Sequence, residues 1–222
     1  MDATTRVVPA PSKFREPVSG FSHLVGLGFA LVGLSWLFVR APRDPASLSA
    51  LALYAVGLVA VYSASSAYHL VVARDEVVRR LRLLDHMAIF LLVAGTSTPI
   101  LHRGLSGTPR VVMLGGLWAA AVLGIAFKLA WRSAPRALYT FLYVVMGWAV
   151  VLEWKRMVVV LPSVSLGLLV AGGVAYTVGA LVYAFKRPNP WPKHFGFHEI
   201  WHLFVLAGST LHFFAIATLP RA

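Results

Sequence analysis

Two histidines lie one helical turn apart near the C-terminal end of the sequence, in the stretch FHEIWHLF. Positions i and i+4 share a helix face, so His198 and His202 can bind the same ion. The string His-Glu-x-x-His also occurs in zinc metalloproteases, where the glutamate is the general base. Glu199 has the offset that this role requires. The spacing alone therefore leaves a protease and other kinds of metal site open.

Further polar side chains occur inside apolar segments, where ionisable groups are costly and are functional candidates. In SASSAYHL, Ser65 and His69 have the same i, i+4 spacing, and in LRLLDHMAIF, Asp85 opens an apolar run. Three imidazoles, from His69, His198 and His202, leave one position of a tetrahedral zinc ion open for water, as in catalytic zinc sites. Asp85 could orient or deprotonate that water, and Ser65 could hydrogen-bond a neighbouring group or a substrate oxyanion.

Each of these residues also has an ordinary structural interpretation. A single buried histidine is more often a hydrogen-bonded core residue than a metal ligand. Asp85 could cap the N-terminus of its helix, and Ser65 could bond back to its own helix. The zinc hypothesis therefore depends on the convergence of the four polar positions.

The composition is that of a membrane protein. Of the 222 residues, 59% are hydrophobic and 13% are charged, and the mean hydropathy is +0.76. A soluble domain of this size would expose too much apolar surface. The net charge of +12 comes from short basic clusters between apolar runs, which indicates topology signals and contacts with anionic membrane lipids rather than nucleic acid. Without cysteine, a metal must be bound by histidine, carboxylate or water.

Seven apolar runs are long enough to cross a bilayer. The sequence therefore predicts an all-α membrane protein, a seven-transmembrane helix bundle over residues 21–222, preceded by a short polar cytoplasmic arm over residues 1–20. The predicted spans are 21–39, 46–71, 83–101, 110–130, 136–154, 158–185 and 197–219.

The basic residues predict the orientation. With the N-terminus in the cytoplasm, 13 of the 20 lysines and arginines fall on the inner side, as cytoplasmic loops require. The second span then ends, and the third and seventh begin, on the cytoplasmic side. His69, Asp85, His198 and His202 are therefore expected in one leaflet of a multi-pass protein of the inner (plasma) membrane.

The remaining histidines are weaker candidates. His23 and His86 fall in the same layer and could tune the site, although we interpret them as structural or headgroup-facing. His102 is expected near the outer end of the third span, and His194 in a loop. His212 would lie about 15 Å beyond the second histidine of the pair along the helix.

Longer stretches of the sequence resemble the hemolysin III family, the bacterial relatives of the progestin and adipoQ receptors. Ser-x-x-x-His, a following Asp and His-x-x-x-His are also shared with alkaline ceramidases, in a wider superfamily of membrane hydrolases. The stretches that carry the resemblance are EPVSGFSHLVG, SSAYHL, LRLLDHMAIFLLVAGTSTPI, YVVMGW, AGGVAYTVGALVYAF and FHEIWHLFVLAGSTLHFFAI.

The resemblance implies zinc held by His69, His198 and His202. Asp85 would contact the zinc-bound water, and Ser65 would stand nearby. The position of Glu199 is not a ligand in that family. The residues and the resemblance together predict a zinc-dependent hydrolase of ceramide-like lipid amides, with membrane lipids as partners and Asp85 as general base.

Three alternatives belong to other functional classes. The first is a receptor-like or regulatory membrane protein with structural zinc. The second is an intramembrane metalloprotease with Asp85 as third ligand, an arrangement that leaves His69 and Ser65 without a role. The third is the pore-forming cytolysin that the family's name implies, for which the sequence lacks a set of charged residues suited to lining a channel.

Overall fold

Most of the helices begin at a proline, glycine or polar residue between the apolar runs. The computed structural model describes residues 13–192 and 194–220, so the first 12 residues of the predicted arm lie outside it. Helix α1 begins at Pro17, and proline also begins α2, because a helix needs no amide donor at its first position. The helices are α1 Pro17–Arg40, α2 Pro45–Leu70, α3 Asp75–Gly104, α4 Gly107–Ala130, α5 Arg136–Trp148, α6 Trp154–Val160, α7 Ser163–Phe185 and α8 Phe197–Ala217.

Seven of these segments are long and apolar enough to cross a membrane, which confirms the predicted all-α seven-helix class. Helices α5 and α6 form one such segment, Arg136–Val160, joined by a 3₁₀ helix over Ala149–Glu153. The outer surface carries large apolar side chains such as Phe29, Leu152 and Val159, which are 76%, 80% and 82% exposed. Such a surface is stable against acyl chains and costly in water.

Two predicted boundaries differ from the structure. Helix α3 begins at Asp75 rather than at residue 83, so Asp85 lies ten residues inside the helix and does not cap it. The fifth span ends at Val160 rather than 154, and the sixth begins at Ser163 rather than 158. The break falls at Leu161, which is extended because the following proline disfavours helical geometry at that position.

The helices close into a ring in which α3 is the most enclosed member. Contacts run from α1 to α2, from α2 to α3, from α3 to α4 and α5, from α5 to α7, from α7 to α8, and from α8 back to α1. Helix α3 also contacts α6 and α8 and is the most buried of the spans. It carries polar residues, including Asp85, that are thereby kept away from lipid.

Two glycines allow α2 and α3 to pack unusually closely. A Cβ atom at Gly57 of α2 would lie 2.5 Å from the Leu91 carbonyl oxygen of α3, and one at Gly95 of α3 would lie 2.6 Å from the Leu53 carbonyl oxygen of α2. Neither backbone could accept a larger residue without moving. This double contact fixes the height of α2 relative to α3. It therefore determines which residues of α3 lie beside the end of α2.

One end of the ring contains the N-termini of α1, α3, α5 and α8 and the C-termini of α2, α4 and α7. We call it the site end, because every residue of the predicted site lies towards it. The charge bias of the sequence predicts that the site end is cytoplasmic.

Candidate metal centre

Three histidines from two helices meet at the site end. The Nε2 atom of His198 lies 3.3 Å from Nε2 of His69 and 3.2 Å from Nε2 of His202. One ligand nitrogen from each ring can be chosen so that all three lie within 4.8 Å of one another. His69 and His202 are buried, and His198 is partly exposed. The predicted convergence of these three side chains is present in the structure.

The nitrogen separations fit a tetrahedral ion. With metal–nitrogen bonds of about 2.0–2.1 Å, two ligands of such an ion lie about 3.3 Å apart. The two Nε2–Nε2 distances of 3.3 Å and 3.2 Å agree with this value. The group can therefore hold a metal ion through three neutral imidazoles, with one coordination position left for another ligand.

The α8 histidines are positioned by the start of their helix. The Glu199 carboxylate accepts a hydrogen bond of 2.8 Å from the Gly196 amide, which caps the helix, and another of 2.9 Å from the Ser19 hydroxyl of α1. The Asn189 side-chain oxygen accepts a further bond from the Phe197 amide. One oxygen of Glu199 thus caps α8 and the other holds α8 against α1, as expected for a structural residue.

The α2 histidine is positioned by the segment before α1. The Glu16 carboxylate lies 2.5 Å from Nδ1 of His69, and the Glu16 amide donates to the His69 carbonyl at 2.9 Å. Arg15 donates to the Tyr68 carbonyl at 2.6 Å, so the free carbonyls at the end of α2 gain partners. The hydrogen bond with His69 lowers the pKa of Glu16, which is therefore ionised at neutral pH. This carboxylate orients the His69 ring and leaves its Nε2 for an ion.

Glu16 was absent from the predicted site. It is the last residue before the proline that begins α1. Nothing in this local sequence indicates a partner 53 residues away. Only the folded chain shows that it supports a ligand.

Asp85 and Ser65 lie next to the histidine cluster. Both are buried, and the Ser65 hydroxyl on α2 lies near the Asp85 carboxylate on α3. Both side chains line a cavity together with His198 and His202. Asp85 is not one of the residues whose ligand atoms form the three-histidine group.

The cavity runs from the histidines into the centre of the ring. Its empty volume is about 1100 Å³, including space open to the exterior. Near the metal centre it is lined by polar residues, and further along mostly by apolar side chains from α3, α5, α7 and α8. It reaches as far as His212. The ring of His212 lies 3.0 Å from the Leu169 carbonyl and makes no hydrogen bond with the three-histidine group.

His23 belongs to the centre more closely than its sequence context indicated. Its ring stacks on that of His202, with centroids 3.9 Å apart, and is 3% exposed. Within the described part of the chain neither of its ring nitrogens has a hydrogen-bond partner. His23 also lines the cavity. A headgroup-facing position is therefore wrong for this residue.

The other histidines lie away from the three-histidine group. His86 packs on Tyr139, with centroids 5.1 Å apart, and lines the cavity. His102 contacts Ser47 at the opposite end of the ring, and His194 is in the loop between α7 and α8, as predicted for both.

Fold and site together define a multi-pass membrane protein in which a seven-helix ring encloses a buried group of three histidines able to bind a metal ion. Comparison with known proteins assigns the family. The family model described as "Haemolysin-III related" matches residues 12–213. The chain therefore belongs to the haemolysin III family.

Individual relatives match over nearly the whole chain. The hemolysin-3 homolog of Bacillus subtilis (strain 168) is 32% identical over 203 residues, covering 90% of this chain and 92% of the relative. Hemolysin-3 of Bacillus cereus is 32% identical over 211 residues, covering 93% of each. The human monocyte to macrophage differentiation factor is 25% identical over 212 residues, covering 93% of this chain and 84% of the relative.

Proposed function

We propose that this protein is a zinc-dependent hydrolase of lipid amides of the ceramide class. The observation that carries the proposal is a group of three imidazoles, two of whose nitrogen separations match tetrahedral coordination, beside a buried carboxylate and a largely apolar cavity. Zinc is the ion that such a neutral three-histidine set commonly binds with one position open. The substrate class comes from the resemblance to alkaline ceramidases.

Each residue has a chemical role in this proposal. Bound zinc supplies a Lewis acid that polarises the amide carbonyl and lowers the pKa of a water. Asp85 accepts a proton from the attacking water as its oxygen bonds to the carbonyl carbon, and then delivers it to the nitrogen as the C–N bond breaks. Ser65 stands beside the Asp85 carboxylate on the cavity wall and would orient it. The products are a fatty acid and a free amine.

The apolar part of the cavity supports a lipid substrate. Its walls include Ile89, Leu92 and Val144, and it begins at the histidines. An acyl chain placed there would keep the apolar surroundings that it has in the bilayer and would bring the amide to the three histidines. The metalloprotease alternative gains no support, because Glu199 is engaged in capping α8 rather than facing the cluster.

Purified protein tests the proposal with a ceramide panel and metal analysis. We expect about one zinc per chain, lost in His202→Ala. Asp85→Asn should keep the zinc and the fold but reduce fatty-acid release by about 10²- to 10⁴-fold, the usual contribution of a general base. Ser65→Ala should reduce turnover while keeping zinc.

Ser66→Ala is the matched control. Ser66 is the next residue on α2 and is also buried, but it is not among the residues that line the cavity. Its substitution should leave turnover unchanged. If the wild-type protein binds zinc yet releases no fatty acid from any amide lipid, and zinc removal lowers only thermal stability, the receptor-like alternative with structural zinc replaces the hydrolase.

A further inference from the structure

An open depression at the site end, which we call the vestibule, adjoins the metal centre. Its empty volume is about 1390 Å³, including space open to the exterior, and its charged lining residues are Arg15, Arg82, Arg136, Glu16 and Glu199. The arginines outnumber the carboxylates. The charges of these lining arginines and carboxylates therefore sum to a positive value.

The two vestibule carboxylates are used by the fold. Glu16 is within 4.0 Å of both His69 and Arg15. Glu199 accepts hydrogen bonds from Ser19 and from the backbone at the start of α8. Neither carboxylate forms an ion pair with Arg82 or Arg136.

Arg136 and Arg82 lack a carboxylate partner among the ion pairs of the described residues. The Arg136 guanidinium is nevertheless held in position, 4.5 Å from the Tyr183 ring centroid and hydrogen-bonded to the Tyr183 carbonyl at 3.4 Å. Arg82 is exposed at the start of α3. A third cation, the buried Lys128, lies 4.0 Å from the Tyr139 ring centroid and adds to the positive potential.

The vestibule adjoins the apolar cavity. Three residues, His86, Tyr183 and His198, line both spaces. A molecule that occupied both would have an anionic end among the arginines, its middle beside the histidines and an apolar chain inside the ring. This order of surfaces fits an amphiphile.

We infer that the vestibule binds a phosphate group, either at the head of a lipid or as free phosphate, through Arg82 and Arg136. A phosphate monoester carries a charge of about −1.5 to −2 at neutral pH, which matches two guanidinium groups, and its oxygens suit their paired donors. The inference concerns binding, so it holds whether or not the histidine cluster hydrolyses an amide.

The test measures binding to purified protein in a neutral sugar detergent. The probes are dodecyl phosphate, dodecanol of the same chain length, and inorganic phosphate. For the wild-type protein we expect dodecyl phosphate to bind about 10- to 100-fold more tightly than dodecanol, since hydrogen bonds to charged groups contribute that much. The double variant Arg82→Gln/Arg136→Gln should lose this preference.

A charge-matched double variant controls for the general attraction of a basic membrane surface. Arg79→Gln/Arg132→Gln also removes one arginine from α3 and one just before α5, and both side chains are exposed and outside the vestibule. It should keep the full preference for phosphate. Because Arg136 also packs on Tyr183, the single variant Arg82→Gln, at an exposed position, provides a second measurement that is independent of folding.

The outcomes separate the sources of the phosphate. A preference for dodecyl phosphate that depends on Arg82 and Arg136 supports a lipid headgroup. Binding of inorganic phosphate with the same dependence, and no gain from the alkyl chain, supports free phosphate as the ligand. Equal binding of dodecyl phosphate and dodecanol, or equal losses in the two double variants, would overturn the inference.

Discussion

At the scale of single residues, the three-histidine group is supported by a carboxylate outside the membrane spans. Glu16 bonds Nδ1 of His69, and its backbone amide bonds the carbonyl of the same residue. Histidine ligands are commonly oriented in this way by a carboxylate, which fixes the ring and increases its basicity. The segment before α1 is thus part of the site, although it contributes no ligand.

Glu16→Gln should weaken metal binding without abolishing it. The amide oxygen can still accept a hydrogen bond, but the negative charge that strengthens His69 as a ligand is lost. We expect zinc affinity to fall by about 10- to 100-fold, the usual effect of losing such a partner, as measured by competition with a chelator of known affinity.

The control for this substitution is Glu76→Gln. Glu76 is exposed on α3 and pairs with Arg80, so the variant makes the same change in charge away from the centre. Equal zinc affinities for the two variants would show that the Glu16 contact has no role in binding.

At the scale of helices, the closest packing lies between α2 and α3. The carbonyl oxygens of Leu91 and Leu53 occupy the space where side chains of Gly57 and Gly95 would begin. This packing sets the position of His69 and Ser65 on α2 relative to Asp85 on α3. The glycines therefore act on the site through the register of two helices, although they lie far from it along the chain.

Gly57→Ala should destabilise the protein and disturb the centre. The added Cβ would meet backbone atoms, which cannot rotate away, and overpacking of this kind costs about 1–3 kcal/mol. We expect a lower thermal midpoint together with weaker zinc binding, since α2 carries His69.

Gly28→Ala is the corresponding control on α1. No atom lies within 4 Å of the Cβ that it would add, and alanine favours helix over glycine by about 1 kcal/mol. Its thermal midpoint should equal or exceed that of the wild type. An equal fall in both variants would mean that the glycine contact between α2 and α3 does not limit packing.

At the scale of the whole molecule, seven spans place the two ends of the ring on opposite sides of a membrane. The distribution of lysine and arginine predicts that the site end is cytoplasmic. This orientation would place the vestibule where water-soluble products and phosphate groups of the inner leaflet can reach it.

The absence of cysteine allows a direct test of this orientation. Ser133→Cys introduces a single thiol in an exposed loop at the site end, and Ser106→Cys introduces one in an exposed turn at the opposite end. In intact cells a membrane-impermeant maleimide should label the second variant, and the first only after lysis. The reverse pattern would place the N-terminus outside.

The sequence determined much of the fold and the ligands. Long apolar runs can satisfy their backbone only as helices in a bilayer, so the class and number of spans follow from local composition. The i, i+4 spacing of His198 and His202 fixes a shared face, and the alternation of spans brings His69 to the same end. The third helix begins earlier than the predicted residue 83, because the segment from Asp75 onward is helical although it is polar.

Only the tertiary structure decided the contacts that depend on packing between distant segments. The bond between Glu16 and His69, the stacking of His23 on His202 and the side-by-side position of the vestibule and the cavity each require helices to approach at one particular height and rotation. Local periodicity specifies which face of a helix is apolar, but not which neighbour it meets or at what depth. Those choices follow from the fit of side chains and glycines across the whole ring.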